Sequence, residues 1–174
     1  MYKNIFCVNT SKKLYVYILI YKMGFANIDA SIFPTIRISF VGSLKDDNDF
    51  QMFLGQWSVL YSLKKPFTLI FDTTKMGAVP VSYCAKMALF IRKMRENSKK
   101  YLKRTIVLLN STIVANLLKT ILSIQGPVCP VSIIDCNKHE NVQNVIDDIL
   151  QEKHHKDVHF MSPENDKVEQ EQFF

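Results

Sequence analysis

Three short and almost continuously apolar runs constrain the fold of this chain more than any other feature. They are FTLIFD (67–72), RTIVLLN (104–110) and PVSIID (130–135), and each is followed by a segment with the periodicity of an amphipathic helix. Runs of this length that are apolar on both faces predict strands buried on both sides, as in parallel sheets. Strands joined by crossover helices predict an α/β fold, in which helices pack against a mainly parallel sheet.

Further strands are expected nearer the N-terminus. In PTIRISFVG (34–42), apolar residues alternate with more polar ones, which is the pattern of a strand with one buried face. The preceding segment ANIDASIF (26–33) is interpreted as its hairpin partner. Upstream, LYVYILIY (14–21) is rich in β-branched and aromatic residues and much shorter than the roughly 20 residues that cross a bilayer. It therefore predicts an additional edge strand.

Four helices are predicted between these strands. The first follows an acidic cluster at residues 46–49, which suits the positive end of a helix dipole, and it stops before Pro66. The others are predicted at residues 81–97, 112–124 and 140–151, where apolar residues recur every three or four positions. The expected fold class is therefore α/β, with a four- to five-stranded, mostly parallel sheet and about four helices.

The length of 174 residues is that of one ordinary domain. We place this α/β domain at residues 28–152, after a basic N-terminal extension over residues 1–27. Residues 153–174 are polar and are predicted to form a disordered acidic tail. From residue 151 onward there are six acids and three lysines, so the rest of a chain with net charge +6 carries +9. A basic body of this kind favours anionic partners.

The residue patterns of common enzyme classes do not occur in this sequence. It has no glycine-rich phosphate loop, no G-x-S-x-G nucleophile elbow and no H-E-x-x-H zinc motif. All four histidines come late in the chain, at His139, His154, His155 and His159, and a histidine cluster in a polar tail is more often incidental than a metal site. We therefore expect no catalysis, no bound metal and no cofactor. The four cysteines are widely spaced, which predicts free thiols and a cytoplasmic protein, with peripheral attachment to membranes as the alternative.

Asp72, Thr73 and Thr74 follow a buried strand, at the edge of the sheet where ligands gather in open α/β folds. One interpretation is a working acid or a phosphate-accepting group. The other is that Asp72 accepts backbone N–H groups in an Asx-type turn that starts a loop. No partner base is visible in the sequence, which favours the turn. All three residues are retained as candidate interaction residues.

A basic segment from Arg92 to Arg104 contains seven basic residues and one acid. Tyr101 is its only aromatic residue, whereas RNA-binding modules usually carry more aromatics for base stacking, so nucleic acid is disfavoured as a partner. We expect a protein partner, with an anionic lipid surface as the alternative. The candidate interaction residues in and before this segment are Ser82, Lys86, Arg92, Lys93, Arg95, Lys99 and Lys100.

The helix predicted at residues 112–124 carries a single charge, on Lys119. A helix that is apolar nearly all round is either buried or in contact with a partner or lipid. Burial is the expected explanation, but this helix is also the best candidate for a binding surface.

A family resemblance covers roughly residues 28–150. It is carried by IRISFVGSLKDDNDFQMFL (36–54), by the helix that follows, and by FTLIFDTTKMG (67–77). These segments resemble the STAS domains of anti-sigma-factor antagonists and anion-transporter tails, in which a strand ending in Asp-x-Ser leads to the second main helix. YLKRTIVLLNSTIVANLLKTIL (101–122) is similar to the next strand, which ends in Asn, and its helix. The CRAL-TRIO lipid-binding domains share this architecture.

The STAS resemblance implies a non-catalytic regulatory or scaffolding module that binds a protein. In that family a phosphorylatable serine lies in an Asp-Ser-Ser-Gly stretch that opens the second main helix, and this stretch falls here on Pro80, Val81, Ser82 and Tyr83. Valine occupies the position of the phosphoserine and only Ser82 lies nearby, so the chain departs from the family's switch. The CRAL-TRIO resemblance implies instead a lipid- or phosphoinositide-binding protein, which predicts an apolar cavity behind the second and third helices.

Overall fold

The computed structural model describes residues 21–22, 25–153 and 155–163, which form one mixed sheet and its covering helices. The strands are β1 (Tyr21–Lys22), β2 (Ala26–Asp29), β3 (Thr35–Gly42), β4 (Phe67–Met76), β5 (Leu102–Leu109), β6 (Val131–Asp135) and β7 (Val158–Met161). The helices are α1 (Asp47–Ser62), α2 (Ser82–Lys93), α3 (Arg95–Tyr101), α4 (Thr112–Ile124) and α5 (Val142–Leu150), with a short 3-10 turn at Cys136–Lys138.

The order of the strands in the sheet is their order in the chain, from β1 at one edge to β7 at the other. The four strands from β3 to β6 run parallel to one another and are joined by helices. The outer strands β1, β2 and β7 are antiparallel to their neighbours. The α/β class and the hairpin of β2 with β3 are therefore confirmed.

The expected strand count and parallel character need correction. Within the described residues, the sheet has seven strands where four to five were predicted, and half of its strand pairs are antiparallel. The additional strands are short, because β1 has two residues and β7 has four. Strands of this length show too little alternation to be recognised from apolar periodicity alone. Most of the N-terminal strand predicted at residues 14–21 lies outside the described residues.

The predicted tail also needs correction. Residues 158–161 were expected to be disordered, but they form β7, which pairs with β6 from Val131↔Met161 to Ile134↔Val158. Met161 is buried against Val131 and Ile133, so this strand completes the core at the far edge of the sheet. Residues 164–174 of the predicted tail lie outside the described residues.

Two elements in the middle of the chain differ from their predicted bounds. β4 continues to Met76 rather than ending at Asp72, because residues 75 and 76 pair with the end of β3 after an irregularity. The helix predicted at residues 81–97 is divided at Met94 into α2 and α3. This division places Ser98 against the core, where its hydroxyl lies 2.8 Å from the Tyr61 hydroxyl.

Helices cover the two faces of the sheet unequally. Helices α1, α2 and α4 pack over Leu69 and Phe71 of β4 and over the same face of β5 and β6. On the opposite face, α5 buries Val145, Ile146 and Ile149 against the sheet. The start of α1 is capped by Asp46, whose carboxylate accepts from the backbone N–H of Asp49 at 2.9 Å, as the acidic cluster predicted. None of the helices in the described part of the chain is long and apolar enough to cross a membrane.

Candidate functional site

A cavity of about 150 Å³ lies between the sheet and helices α1, α2 and α4, and it is partly open to the surface. Its wall is almost entirely apolar. The sheet contributes Phe40, Phe71, Val107 and Leu109, helix α2 contributes Tyr83, Cys84, Met87 and Ile91, and helix α4 contributes Val114, Leu117, Leu118 and Ile121. A space with these walls matches a hydrocarbon group rather than a polar substrate.

Two polar side chains in the wall of this cavity, Thr73 and Cys84, donate to backbone carbonyls. The Thr73 hydroxyl donates to the carbonyl of Leu108 at 2.5 Å. The Cys84 thiol donates to the carbonyl of Leu117 at 3.7 Å, and burial raises the pKa of this thiol. The wall therefore offers an incoming molecule mainly van der Waals contact.

A second cavity of about 90 Å³ adjoins the first and extends toward α3 and the loop between α4 and β6. Both cavities are lined by the same six residues, Trp57, Phe71, Ile91, Val107, Leu118 and Ile121. The residues that line the second cavity include Tyr61 and Ser98, whose hydroxyls bond to each other. The two spaces together form a larger apolar region.

An empty space of this size is energetically unfavourable. Protein interiors pack as densely as organic crystals and contain few voids larger than a water molecule. At about 24 cal/mol per Å³, an enclosed and unfilled space of 150 Å³ would cost about 3–4 kcal/mol, and the opening of this cavity to the surface lowers that cost. A ligand that fills the cavity would recover part of this free energy, so the cavity favours binding of an apolar molecule.

The position of the loop after β4 gives the cavity part of its wall. An added Cβ on Gly77 would lie 2.5 Å from Ser43 Oγ and 2.7 Å from Ser43 N, so glycine is needed for this close approach. The Gly77 N–H donates to the carbonyl of Gly42 at 2.8 Å, and the Ala78 N–H donates to Ser43 Oγ at 3.0 Å. These contacts hold the segment between Met76 and Val79, both of which line the cavity.

Asp72 has a local structural role. Its carboxylate accepts from the backbone N–H of Thr74 at 3.2 Å and from the Thr74 hydroxyl at 2.6 Å. The Thr74 carbonyl accepts from the Asn110 side chain at 2.9 Å, and the Asn110 carbonyl accepts from the Asn137 side chain at 3.3 Å. These bonds connect the ends of neighbouring strands. The Asx-type contact proposed for Asp72 is present, although β4 does not end there.

The structure does not bring Asp72 and Thr73 into one site. Along β4 they are successive residues and point to opposite faces of the sheet. Thr73 lines the cavity, whereas Asp72 lies near Cys136 on the face that α5 covers. Burial raises the pKa of the Cys136 thiol, and the negative charges of Asp72 and Asp135 raise it further. A thiol in this environment stays protonated at neutral pH and is a poor nucleophile.

The other candidate interaction residues lie on the exposed side of α2 and α3. Ser82 is the first residue of α2, and Lys86 forms a short ion pair with Asp47 of α1 while lying 4.7 Å from the centre of the Tyr83 ring. The ion pair raises the pKa of Lys86. Exposed basic residues continue to the end of α3, namely Arg92, Lys93, Arg95, Lys99 and Lys100, of which Lys99 lies 3.6 Å from Glu96.

Two of the histidines, His139 and His155, lie close together near the end of α5. The rings of His139 and His155 are 5.7 Å apart, and His155 Nε2 lies 4.0 Å from the Asp148 carboxylate. Within the described ranges, no group of three or more His, Cys, Asp or Glu side chains is placed to hold a metal ion.

Sequence patterns identified the cavity residues only as core. The apolar faces predicted for α2 and α4 are the ones that line the cavity. Apolar periodicity identifies the residues that face the core, but it does not show whether their side chains fill the space there. The small side chain of Cys84 on the inner face of α2 was the available signal. The expected burial of α4 is found only in part, because Val114, Leu117 and Leu122 are buried whereas Ile113 and Ile124 are exposed.

Comparison with known proteins gives no match, whether to a family model, to a curated protein or to a solved structure. Membership of the STAS or CRAL-TRIO families therefore stays a hypothesis that rests on the sequence pattern. A proposal on the function of this chain therefore depends on the geometry of the cavity.

Proposed function

We propose that this chain is a non-catalytic domain that binds an apolar, lipid-type ligand between its sheet and helices α2 and α4. The observation that carries the proposal is the 150 Å³ cavity with an almost wholly apolar wall. A dry cavity of similar volume in an engineered lysozyme binds benzene, which shows that a space of this kind is sufficient for a hydrocarbon. The position of this cavity behind helices α2 and α4 supports the proposal of a lipid-binding protein.

The chemistry around the cavity supports binding without catalysis. The three cysteines of the described region are free thiols, and burial raises the pKa of each, that of Cys129 to about 11. Thiols with raised pKa values are protonated at neutral pH and react slowly. Free thiols also support the proposal of a cytoplasmic location.

Filling the cavity tests this function. Leu118 lines both cavities, so we expect Leu118→Trp to occupy the space and to weaken binding of n-pentylbenzene at least tenfold. At ten times its Kd, the hydrocarbon should raise the Tm of the wild-type protein by about 3–6 °C. The same concentration should leave the Tm of the Leu118→Trp protein nearly unchanged in a thermal unfolding measurement.

The matched control is Ile124→Trp, on the same helix but at a residue that is 55% exposed. This variant should respond to pentylbenzene as the wild type does. Native mass spectrometry of the purified wild-type protein supplies an independent measurement, in which a bound apolar molecule is expected. An apo mass together with no Tm response to pentylbenzene would contradict the proposed function.

A second candidate is a regulatory or scaffolding interaction module of the STAS type. The observation that favours it is the exposure of three apolar residues on two helices in contact, with Val81 and Leu89 at or on α2 and Ile113 on α4. The basic residues Arg92 and Lys93 close α2 and lie next to this surface in the chain. Exposed apolar residues beside a basic patch suit an acidic protein surface or an anionic membrane.

Charge reversal tests the second candidate. Changing Arg92, Lys93 and Arg95 to Glu is expected to abolish capture of a protein partner from the source cells, or flotation with vesicles that contain anionic phospholipid. The control changes Lys45, Lys75 and Lys156 to Glu, which alters the net charge equally at other exposed positions. Capture and flotation that persist in the first variant would rule out this basic patch as the binding surface.

A further inference from the structure

The end of β7 lies beside the second cavity. Met161 is opposite Val131 in the antiparallel pairing of β7 with β6, and residues directly opposite each other in such a pair have Cα atoms about 4.5–5.5 Å apart. Val131 lines the second cavity, and Met161 belongs to the same buried cluster as Val131. The chain therefore leaves the sheet after Met161 next to this cavity, at the end of the sheet where the parallel strands begin.

Exposed lysines are grouped at this same end of the domain. Ser98 and Leu102 line the second cavity, and three of these lysines lie within two residues of them in the chain. Two others follow the end of α1, just before β4 begins. We call the five the rim lysines: Lys64, Lys65, Lys99, Lys100 and Lys103. Glu96 lies 3.6 Å from Lys99 and offsets one of the positive charges, so the group as a whole attracts an acidic partner.

The second cavity is partly open to the surface and has an apolar border. Met94, Leu118 and Ile121 contribute to its wall. Ile124, at the end of α4, is 55% exposed and is next in the chain to Gln125, which also lines the cavity. An exposed apolar residue beside an apolar opening leaves a surface that an aromatic ring would cover.

Residues 164–174, which lie outside the described residues, have a composition that complements this end of the domain. They contain four acids and one lysine, a net charge of −3, and two adjacent aromatic residues, Phe173 and Phe174. From Pro163 to Phe173 the chain advances ten residues, which reach at most about 33–36 Å in full extension. Since an α-helix with its side chains is about 10–12 Å across, this length is sufficient to pass the end of α4 and to reach α3.

We propose that residues 164–174 dock on the end of the domain from which they emerge, with Phe173 and Phe174 at the opening of the second cavity and the acids near the rim lysines. The contact combines charge attraction with the burial of two aromatic rings. Because a short tether gives an effective concentration in the millimolar range, even a weak contact is populated. This inference goes beyond the proposed function, since it concerns the second cavity and needs no external ligand, and either can fail without the other.

Changing Phe173 and Phe174 together to Ser in the full chain tests whether their rings occupy the opening. The reporters are methyl groups that line the second cavity, in Leu118, Ile121 and Leu122. Their signals in methyl NMR spectra are expected to move, because the double variant lacks the ring currents of the two phenyl groups. Val59 and Ile113 are exposed and do not line this cavity, so their signals should stay unchanged. Identical reporter signals in the wild type and the double variant would overturn the proposal.

A synthetic peptide of residues 164–174 measures competition with the tethered segment. The peptide is titrated into the wild type and into the double variant, whose own segment lacks the rings. Because the tethered segment of the wild type occupies the same surface, the Kd of the peptide should be at least about threefold higher for the wild type than for the double variant.

Charge reversal in the double variant tests the role of the rim lysines. One set of substitutions changes Lys99, Lys100 and Lys103 to Glu and should raise the Kd of the peptide at least about tenfold. The matched control changes exposed residues near the opposite end of the parallel strands to Glu, namely Lys45, Lys75 and Lys156. It alters the net charge equally and should keep the Kd within about twofold of its original value.

The remaining outcomes separate docking within one chain from its alternatives. If dilution of the wild type moves its reporter signals toward those of the double variant, the segment of a second copy occupies the opening, and docking within one chain is overturned. Equal Kd values of the peptide for the wild type and the double variant, or no binding of the peptide to the double variant, would overturn it as well.

Discussion

Phe53→Ala is expected to lower the free energy of unfolding by about 3–5 kcal/mol. Phe53 is fully buried at the centre of α1, and its ring centroid lies 5.4–6.5 Å from those of Phe25, Phe40, Phe50 and Trp57. Removing the ring therefore deletes contacts with Phe25, which precedes β2, with Phe40 of β3 and with two rings of α1. It also leaves a void that the neighbouring aromatic rings can fill only in part, because their edge and tilted contacts fix their positions.

The effect of Phe53→Ala is measured by equilibrium unfolding in urea. The matched control is Val59→Ala, which shortens a residue of the same helix that is 47% exposed and should change the free energy of unfolding by no more than about 0.5 kcal/mol. Similar small changes in both variants would mean that α1 does not dock on the sheet through Phe53.

Met161→Asp is expected to lower the free energy of unfolding by at least about 3 kcal/mol, since it removes a buried apolar side chain and buries a carboxylate without a partner. Met161 is 5% exposed and packs in β7 against a cluster that includes Val114, Val131 and Ile133. The neighbouring Phe160 is 45% exposed, as the alternation of a strand requires. Phe160→Asp is therefore the control and should be tolerated, with a much smaller loss.

The comparison of Met161→Asp with Phe160→Asp tests whether β7 belongs to the domain. Two adjacent substitutions introduce the same charge into the same strand and differ only in the face that they occupy. Urea unfolding should separate them by at least about 2 kcal/mol. Equal and small effects would indicate that residues 158–161 behave as the polar tail that their composition suggested.

Much of the fold could be predicted because its signals are local. The capping carboxylate of Asp46, the apolar periodicity of α4 and the buried runs in β5 and β6 each depend on residues within about one element of one another. Helix α4 begins at Thr112 and ends at Ile124, as predicted. For β5, α4, β6 and α5 the predicted bounds agree with the structure to within two residues.

The remainder depended on contacts between distant parts of the chain. The division of α2 from α3 accompanies the bond between Ser98 and Tyr61, which are 37 residues apart. Strand β7 forms because it pairs with the edge of β6 and because Met161 packs against Val131 and Ile133. Neither the Ser98–Tyr61 bond nor the pairing of β7 with β6 can be predicted from apolar periodicity.

The candidate site was the least predictable part. The sequence predicted that a strand ends at Asp72, which made Asp72, Thr73 and Thr74 candidate site residues. In the structure, their side-chain bonds are local or directed to the backbone of β5. The cavity lies beneath α2, where Tyr83, Cys84, Met87 and Ile91 line it without filling it. Unfilled volume depends on how the side chains pack in the folded molecule, so it cannot be predicted from the apolar positions in the sequence alone.

The sequential strand order has a consequence for biosynthesis. Each strand from β2 to β7 pairs with the strand that precedes it in the chain. When one of these strands is synthesised, a strand with which it pairs is therefore already present. During translation, a domain with this arrangement can grow at a single edge as the nascent chain leaves the ribosome. Strand β7, the last of the described strands to emerge, is antiparallel and short, and it covers the edge of β6 that would otherwise be open to pairing with other chains.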